Sequence, residues 1–202
     1  SKKIAEGLLT LASLFALRAL GVQVIVDDSQ PRENPSDSVV HVFDGLCLLD
    51  FLVARVSLGL NTKFIPDNSL QEKVFLKSPL SAQSSEVAGF SGEDVFRGGR
   101  FFLSVRAASG SLSLKPWLVA RSCQALIVPW FFDYDDQDSL LISNRYGILR
   151  LFVSRIASPL LIVRLKRGCS SLMGRPYNAT KDEFLEKLSD LYAVASKDAK
   201  LH

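Results

Sequence analysis

The chain is predicted to be an α/β protein with a central, mostly parallel sheet flanked by helices, and three observations carry that prediction. Short apolar runs of strand length alternate with longer stretches whose apolar residues recur at three- and four-residue steps. Some of those runs, at 101–105, 125–132 and 160–165, are the most apolar of the chain, broken at Ser104 and Arg164, and approach the continuous apolar pattern of strands buried on both faces. The 202 residues, 48% of them apolar, suffice for one sizeable core. The organisation expected is a leading amphipathic helix over 1–21 and a single α/β domain over 22–202, with no internal repeat.

The first element covers 4–20. Leu8, Leu11 and Phe15, with Leu9, Ala12, Ala16 and Ala19 beside them, form a broad apolar stripe that Glu6 and Arg18 interrupt. Crossing a bilayer takes about 20 consecutive apolar residues. The run is shorter, so it reads as a packed or interfacial helix and as the one candidate for peripheral membrane or lipid contact. A strand at 22–26 leads into a Pro- and Asn-rich loop at 27–37, then a strand at 39–43, a helix at 47–58 and a strand at 62–65. Helical stretches are expected at 70–77 and 92–97, with the serine-rich piece 81–85 as a loop between them. The runs 101–105, 125–132 and 160–165, being the most apolar, are expected at the sheet centre. Asp133-Tyr134-Asp135-Asp136-Gln137-Asp138 has the carboxylate density of a cation site, but it lacks the glycine and terminal Glu of an EF-hand and reads as a solvated turn. The last element, 181–197, repeats Phe184, Leu185, Leu188, Leu191, Tyr192 and Ala195 at helical steps. Thr180-Lys181-Asp182-Glu183 is a capping box at its start, a better account of Asn178-Ala179-Thr180 than glycosylation.

Composition excludes several functional classes. A net charge of +3, with Lys and Arg scattered, leaves no electrostatic footprint for nucleic acid. The runs Arg164-Leu165-Lys166-Arg167 and Ser1-Lys2-Lys3 read as solvated element ends, with phospholipid headgroups or an acidic partner as the alternative. Cys47, Cys123 and Cys169 are odd in number and far apart, so neither a disulfide framework nor a zinc site is suggested, and a reducing intracellular compartment fits. The chain shows no cleavable signal peptide and begins at Ser1, which leaves room for a removed targeting segment such as a mitochondrial presequence. Gly89-Phe90-Ser91-Gly92 and Gly98-Gly99-Arg100 lack the features of a phosphate or dinucleotide loop, and no Gly-x-Ser-x-Gly elbow is present. No cofactor is expected.

One segment carries more. A β-branched run, Val39-Val40-His41-Val42-Phe43, leads into Asp44-Gly45-Leu46-Cys47-Leu48-Leu49-Asp50 and a helix-like stretch. Thr62-Lys63-Phe64-Ile65 precedes Ser69-Leu70 and Ser78-Pro79-Leu80. Arg100-Phe101-Phe102-Leu103-Ser104-Val105 runs into Arg106-Ala107-Ala108, Leu114-Lys115-Pro116-Trp117 opens a helix, and Ala125-Leu126-Ile127-Val128-Pro129 is an apolar strand ending in Val-Pro. In order and spacing, over roughly 36–195, this layout resembles the glycerolipid acyltransferase family, which includes the lysophosphatidic acid acyltransferases.

The resemblance implies an acyltransferase-like fold with a vestigial site. That family's first strand ends in Asn-His-x-Ser-x-x-Asp, where the His is the general base and the Asp orients it. Asp44, Gly45, Cys47 and Asp50 occupy those positions here, so the acid is kept and the base is glycine. Where the family holds substrate phosphate with Phe-Pro-Glu-Gly-Thr, this chain has Arg106 at the Glu position and no glycine. Acyl transfer from a thioester to a hydroxyl needs a base within reach and matched to working pH, which glycine cannot be. Neither His41 nor His202 sits five residues before a carboxylate. Arg106 and Lys115 are the candidate ligand-binding residues. For Arg106 the alternatives are an anion clamp and an internal ion pair with Asp50 or Asp44, and the ion pair is preferred.

Three losses together, of the base, the Glu-Gly-Thr loop and the arginine of the family's second segment, which Thr62-Lys63-Phe64-Ile65, Ser69-Leu70 and Ser78-Pro79-Leu80 resemble here, imply relaxed catalytic demand. The expectation is a non-catalytic pseudoenzyme with no metal, acting as a structural or interaction subunit in a protein complex, with a mitochondrial, membrane-associated assembly as the candidate setting. The alternative is a lysophospholipid acyltransferase or acyl-lipid-binding protein with a polar site rebuilt around Asp44, Asp50, Arg106 and Lys115. It needs an open acyl channel, which side chains of Leu46, Trp117 or Trp130 would plug.

Overall fold

The computed structural model describes residues 2–30, 33–34, 37–44, 48–58, 62–65, 100–105, 111–135, 160–173 and 178–198. It is an α/β protein with a mainly parallel sheet flanked by helices. In chain order the elements are α1 (Lys2–Ala19), β1 (Val22–Asp27), β2 (Val39–Phe43), α2 (Leu48–Leu58), β3 (Thr62–Ile65), β4 (Arg100–Ser104), α3 (Lys115–Ser122), β5 (Leu126–Tyr134), β6 (Leu161–Arg167), a 3-10 turn (Ser170–Leu172) and α4 (Lys181–Asp198). The helices expected at 70–77 and 92–97 and the loop at 81–85 lie outside the described residues.

The residues form two compact units, each assembled from three separate stretches. The first comprises Ser1–Asp28, Gly45–Thr62 and Phe132–Lys166, and the second Ser29–Asp44, Lys63–Phe131 and Arg167–His202.

In the first unit α1 packs on α2 and β1. Ser13, Leu17 and Leu20 form the buried side of α1. The helix stops at Gly21, whose φ of 66° is the left-handed conformation that glycine adopts without penalty, and its N–H donates to Arg18 O at 3.0 Å. The chain then turns directly into β1, which pairs in parallel with β6 from Val22↔Leu161 to Asp27↔Lys166. Along β6 buried and more exposed residues alternate, with Leu161, Val163 and Leu165 inward and Arg164 and Lys166 outward. That period of two marks a strand with one solvated face. The apolar reading of 160–165 missed this because it stopped short of the basic end of the strand.

The strand order in the second unit is β5-β2-β4-β3. β2 pairs in parallel with β4, Val39↔Arg100 to Phe43↔Ser104, and with β5, Val39↔Leu126 to Phe43↔Trp130. All five β2 residues are buried. Within this unit β2 and β4 each lie between two partners, so the run at 101–105 is interior as expected, and β2, despite its histidine, is interior as well. One face of these strands is closed by α3 and α4 around Val40, Val42, Phe101, Leu103, Val105, Val119, Ile127, Phe184 and Leu188. Phe43 and Phe102 stack with centroids 4.4 Å apart.

Two helix ends show how local sequence sets these elements. At α3, Ser113 Oγ accepts from the Lys115 N–H at 3.2 Å, and Pro116 in the first turn fits where no intrahelical donor is needed. Gln124 closes the helix at φ 49°, a left-handed position held by a non-glycine residue, and the Ala125 N–H returns to Ala120 O at 2.8 Å. At α4 the capping box forms as read: the Thr180 N–H donates to Glu183 Oε2 at 2.8 Å, and the Glu183 N–H donates to Thr180 Oγ1 at 3.3 Å. The Thr180 backbone N–H first, and the Thr180 hydroxyl second, hold the exposed Glu183 carboxyl below its ordinary range.

Candidate functional site

The carboxyl ends of parallel strands are where open α/β sheets place their chemistry, and one sequence-predicted residue, Asp44, stands at the end of β2. Asp44 follows β2 directly and is partly buried. Gly45, Cys47 and Leu46 lie outside the described residues, as does Arg106, so the ion pair expected of Arg106 does too. The bases of the surrounding segments are well defined in the second unit. The Val105 N–H donates to Phe43 O at 2.8 Å, and the Ser113 N–H donates to Val105 O at 2.7 Å, which brings the two ends of the 106–112 segment together. Lys115 begins α3 and is half-buried.

In the first unit the retained acid, Asp50, lies in the first turn of α2, where the positive end of the helix dipole favours a carboxylate. It is 3% exposed. Its Oδ1 accepts a hydrogen bond from the Tyr134 hydroxyl, itself buried near the end of β5. Sequence reasoning missed Tyr134 by assigning it to a solvated acidic turn. The signal lay in the aromatic run Trp130-Phe131-Phe132-Asp133-Tyr134, whose β-propensity extends the strand beyond the last strictly apolar residue. The acidic turn itself resolves in part: Asp133 is the penultimate residue of β5, and Arg164 donates to Asp135 Oδ1 at 2.7 Å while lying 3.9 Å from Asp133. Residues 136–138 lie outside the described residues.

In the second unit His41 is buried in the middle of β2, and Trp130 donates its indole N–H to His41 Nδ1 at 3.0 Å. That bond requires a lone pair on Nδ1, so the proton of the neutral ring is on Nε2. Above the same strand ends, the Tyr192 hydroxyl of α4 reaches Val42 O at 3.1 Å and Trp130 O at 3.4 Å. Burial pushes this phenol well above its ordinary value, and the negative charge of Asp44 adds to the effect, against the opposing pull of the Trp130 carbonyl bond. Trp130 is buried, while Trp117 is half-buried with its indole N–H on Ala179 O at 3.2 Å and the Arg121 guanidinium 5.1 Å over its ring. Among the described residues of this unit a charged pair is buried as well: Arg167 binds Glu33 and donates to Gln30 O at 3.0 Å, which pins the loop after β1.

A buried carboxylate that accepts from a phenol has a donor rather than a proton acceptor in front of it. A tyrosine hydroxyl ionises near pH 10 in water, so as a class it makes a poor general base at neutral pH. Among the described residues no group of three or more His, Cys, Asp or Glu is placed to hold a metal ion. Compared with protein-family models, curated proteins and solved structures, the chain matches none.

Proposed function

We propose that this chain is a non-catalytic, acyltransferase-like protein that serves as a structural or interaction subunit of a larger assembly. The observation that carries the reading is the partner of Asp50. In the glycerolipid acyltransferase pattern that carboxylate orients an imidazole base, whereas here it holds the hydroxyl of Tyr134. His41, the histidine among the described residues, supports the same reading, since its Nδ1 is engaged by Trp130 inside β2. A buried acid held by a neutral donor contributes to the fold, and a fold freed of catalytic demand retains its apolar strands and helices as scaffold.

The test is an acyl-transfer assay on the purified chain, with acyl-CoA or acyl carrier protein as donor and lysolipids as acceptors, followed by lipid extraction of protein taken from its own source. No transfer above background, no bound acyl species and stable protein partners in native mass spectrometry are expected. Transfer that Asp50→Ala abolishes would overturn the proposal. A co-purifying lysolipid or acyl thioester would favour instead a polar site rebuilt around Asp44, Asp50, Arg106 and Lys115.

A further inference from the structure

Strand β1 has β6 on one side, and among the described residues no strand pairs with its other side. The Leu161 N–H donates to Gly21 O at 3.0 Å, so in this parallel ladder the backbone groups of Gln23, Ile25 and Asp27 also turn toward β6. Those of Val22, Val24 and Val26 turn the other way and present an N–H and a C=O about every 6.6 Å. A row spaced in this way matches another extended backbone. Soluble proteins blunt such an edge with Lys, Pro or a bulge, and 22–26 has none of the three. The side chains show the same incompleteness. Val22, Val24 and Val26 lie in register with Leu161, Val163 and Leu165, on the buried face of β6. Cover fades along that face, from the buried Val22 through the half-buried Val24 to Val26 at 43% exposure. On the opposite face Ile25 is 42% exposed.

The strand's own sequence identifies the occupant. Val22-Gln23-Val24-Ile25-Val26 has valine at both ends and at its centre, so it complements itself when run in the opposite direction. A two-fold axis at Val24 sets Val24 against Val24 of a second copy, Val22 against Val26 and Gln23 against Ile25. Each outward N–H and C=O then meets its counterpart. The half-open Val26 comes to lie beside the buried Val22 of the other copy, which supplies the missing cover. Charge fixes the direction. Parallel pairing in register would put the exposed Asp27 beside Asp27, a like-charge pair that destabilises a sheet, whereas the antiparallel arrangement puts it opposite Gly21. We infer that two copies of this chain associate by antiparallel pairing of their β1 edges about a two-fold axis at Val24, which joins their β1-β6 ladders into one sheet. A single strand pair is a small interface, below roughly 1,200 Å², so the dimer is reversible and its population follows concentration. The inference does not rest on the acyltransferase reading, because it needs no reaction and no bound lipid.

Sedimentation of the full chain over a concentration series tests it, and a monomer–dimer equilibrium is expected with dimer evident by about 0.1 mM. Val26→Lys places a charge on the edge and should weaken the dimer at least about tenfold. Its far-ultraviolet circular dichroism should match the parent's, because the side chain already reaches solvent. A second measurement reads the register and does not depend on that variant folding. In the proposed pairing the two copies of residue 24 stand about 5.5 Å apart at Cα, inside disulfide range. The two copies of residue 25 are offset by two positions, beyond the roughly 7 Å that a disulfide can bridge. Mild oxidation should therefore link Val24→Cys into a covalent dimer and leave Ile25→Cys unlinked, with the parent and its Cys47, Cys123 and Cys169 as the blank. A parent that stays monomeric at about 0.1 mM would overturn the inference. So would a Val26→Lys variant that dimerises as well as the parent, or equal cross-linking at positions 24 and 25. A dimer that Phe15→Ser abolishes and Val26→Lys leaves intact would assign the contact to α1 and overturn it as well. A dimer cross-linked at position 24 that also transfers acyl groups would keep this inference and remove the preceding one.

Discussion

Asp50 and Tyr134 form their hydrogen bond across 84 residues of sequence, and neither has solvent to fall back on. A hydrogen bond to an ionised group is worth about 1.5–3 kcal/mol when its loss strands a buried partner. Tyr134→Phe is therefore expected to destabilise the protein by about 2 kcal/mol in urea unfolding, and Asp50→Asn by a similar amount. The two effects should not add, and a double-mutant cycle should return a coupling of about 1 kcal/mol or more. Additive losses would show that the bond contributes nothing of its own. The cycle also separates roles: a catalytic acid is read in rate, a scaffold acid in stability. At this scale the sequence was half legible. That an acid stands at position 50 follows from spacing, but its partner does not, nor does the Trp130 donor of His41, 89 residues away, because nothing local marks which distant polar groups meet. Asp44 was legible as the residue closing β2, and the side chain that feels its charge, Tyr192, was read only as part of a helix stripe.

At the scale of elements local chemistry was a better guide. Strand β2 at 39–43 and β3 at 62–65 lie where alternation and β-branching put them, and the expected helices at 4–20, 47–58 and 181–197 recur within two residues at each end as α1, α2 and α4. Their signals are short-range: periodic apolar residues, a stop at Gly21, a capping box at Thr180. Strand ends were less legible. β5 continues to Tyr134 and β6 to Arg167 because aromatic and basic residues keep the extended conformation once neighbouring strands hold them. The interior place of β4 was legible in its apolar run, whereas that of β2 was not, since a buried His41 counts against the strand that carries it. The box at α4 gives a direct measurement. Thr180→Ala is expected to cost about 1 kcal/mol. The pH-sensitive half of the box is the Glu183 carboxyl, which accepts from the Thr180 N–H: the folded state holds it below its ordinary 4.5, so the unfolded chain takes up its proton first as pH falls. Its contribution is accordingly complete above that value and disappears on acidification through the folded value. The cost of Glu183→Ala should therefore shrink at strongly acidic pH, and equal costs at neutral and acidic pH would contradict the box.

Among the described residues, the buried phenol of Tyr192 ties stability to alkaline pH. Tyr192 keeps its proton in the folded state well beyond 10, where the unfolded chain releases it. Above pH 10 the unfolded state binds fewer protons, so stability falls as pH rises; below it the contribution is fully present. Tyr192→Phe should lower the melting temperature at neutral pH, because the Val42 and Trp130 carbonyls lose a donor. It should also flatten the decline between pH 10 and 12, and a decline as steep as the parent's would show that another group governs it. The two units differ from ordinary domains in how the chain supplies them, since each draws on an early, a middle and a late stretch. Synthesis cannot finish one before beginning the other. A nascent chain halted at residue 131 lacks the last stretch of both, including β6 and the helix whose Phe184, Leu188 and Tyr192 close the second core. A truncation there thus leaves neither unit with all of its stretches, so the release of that last stretch from the ribosome is the event that completes both.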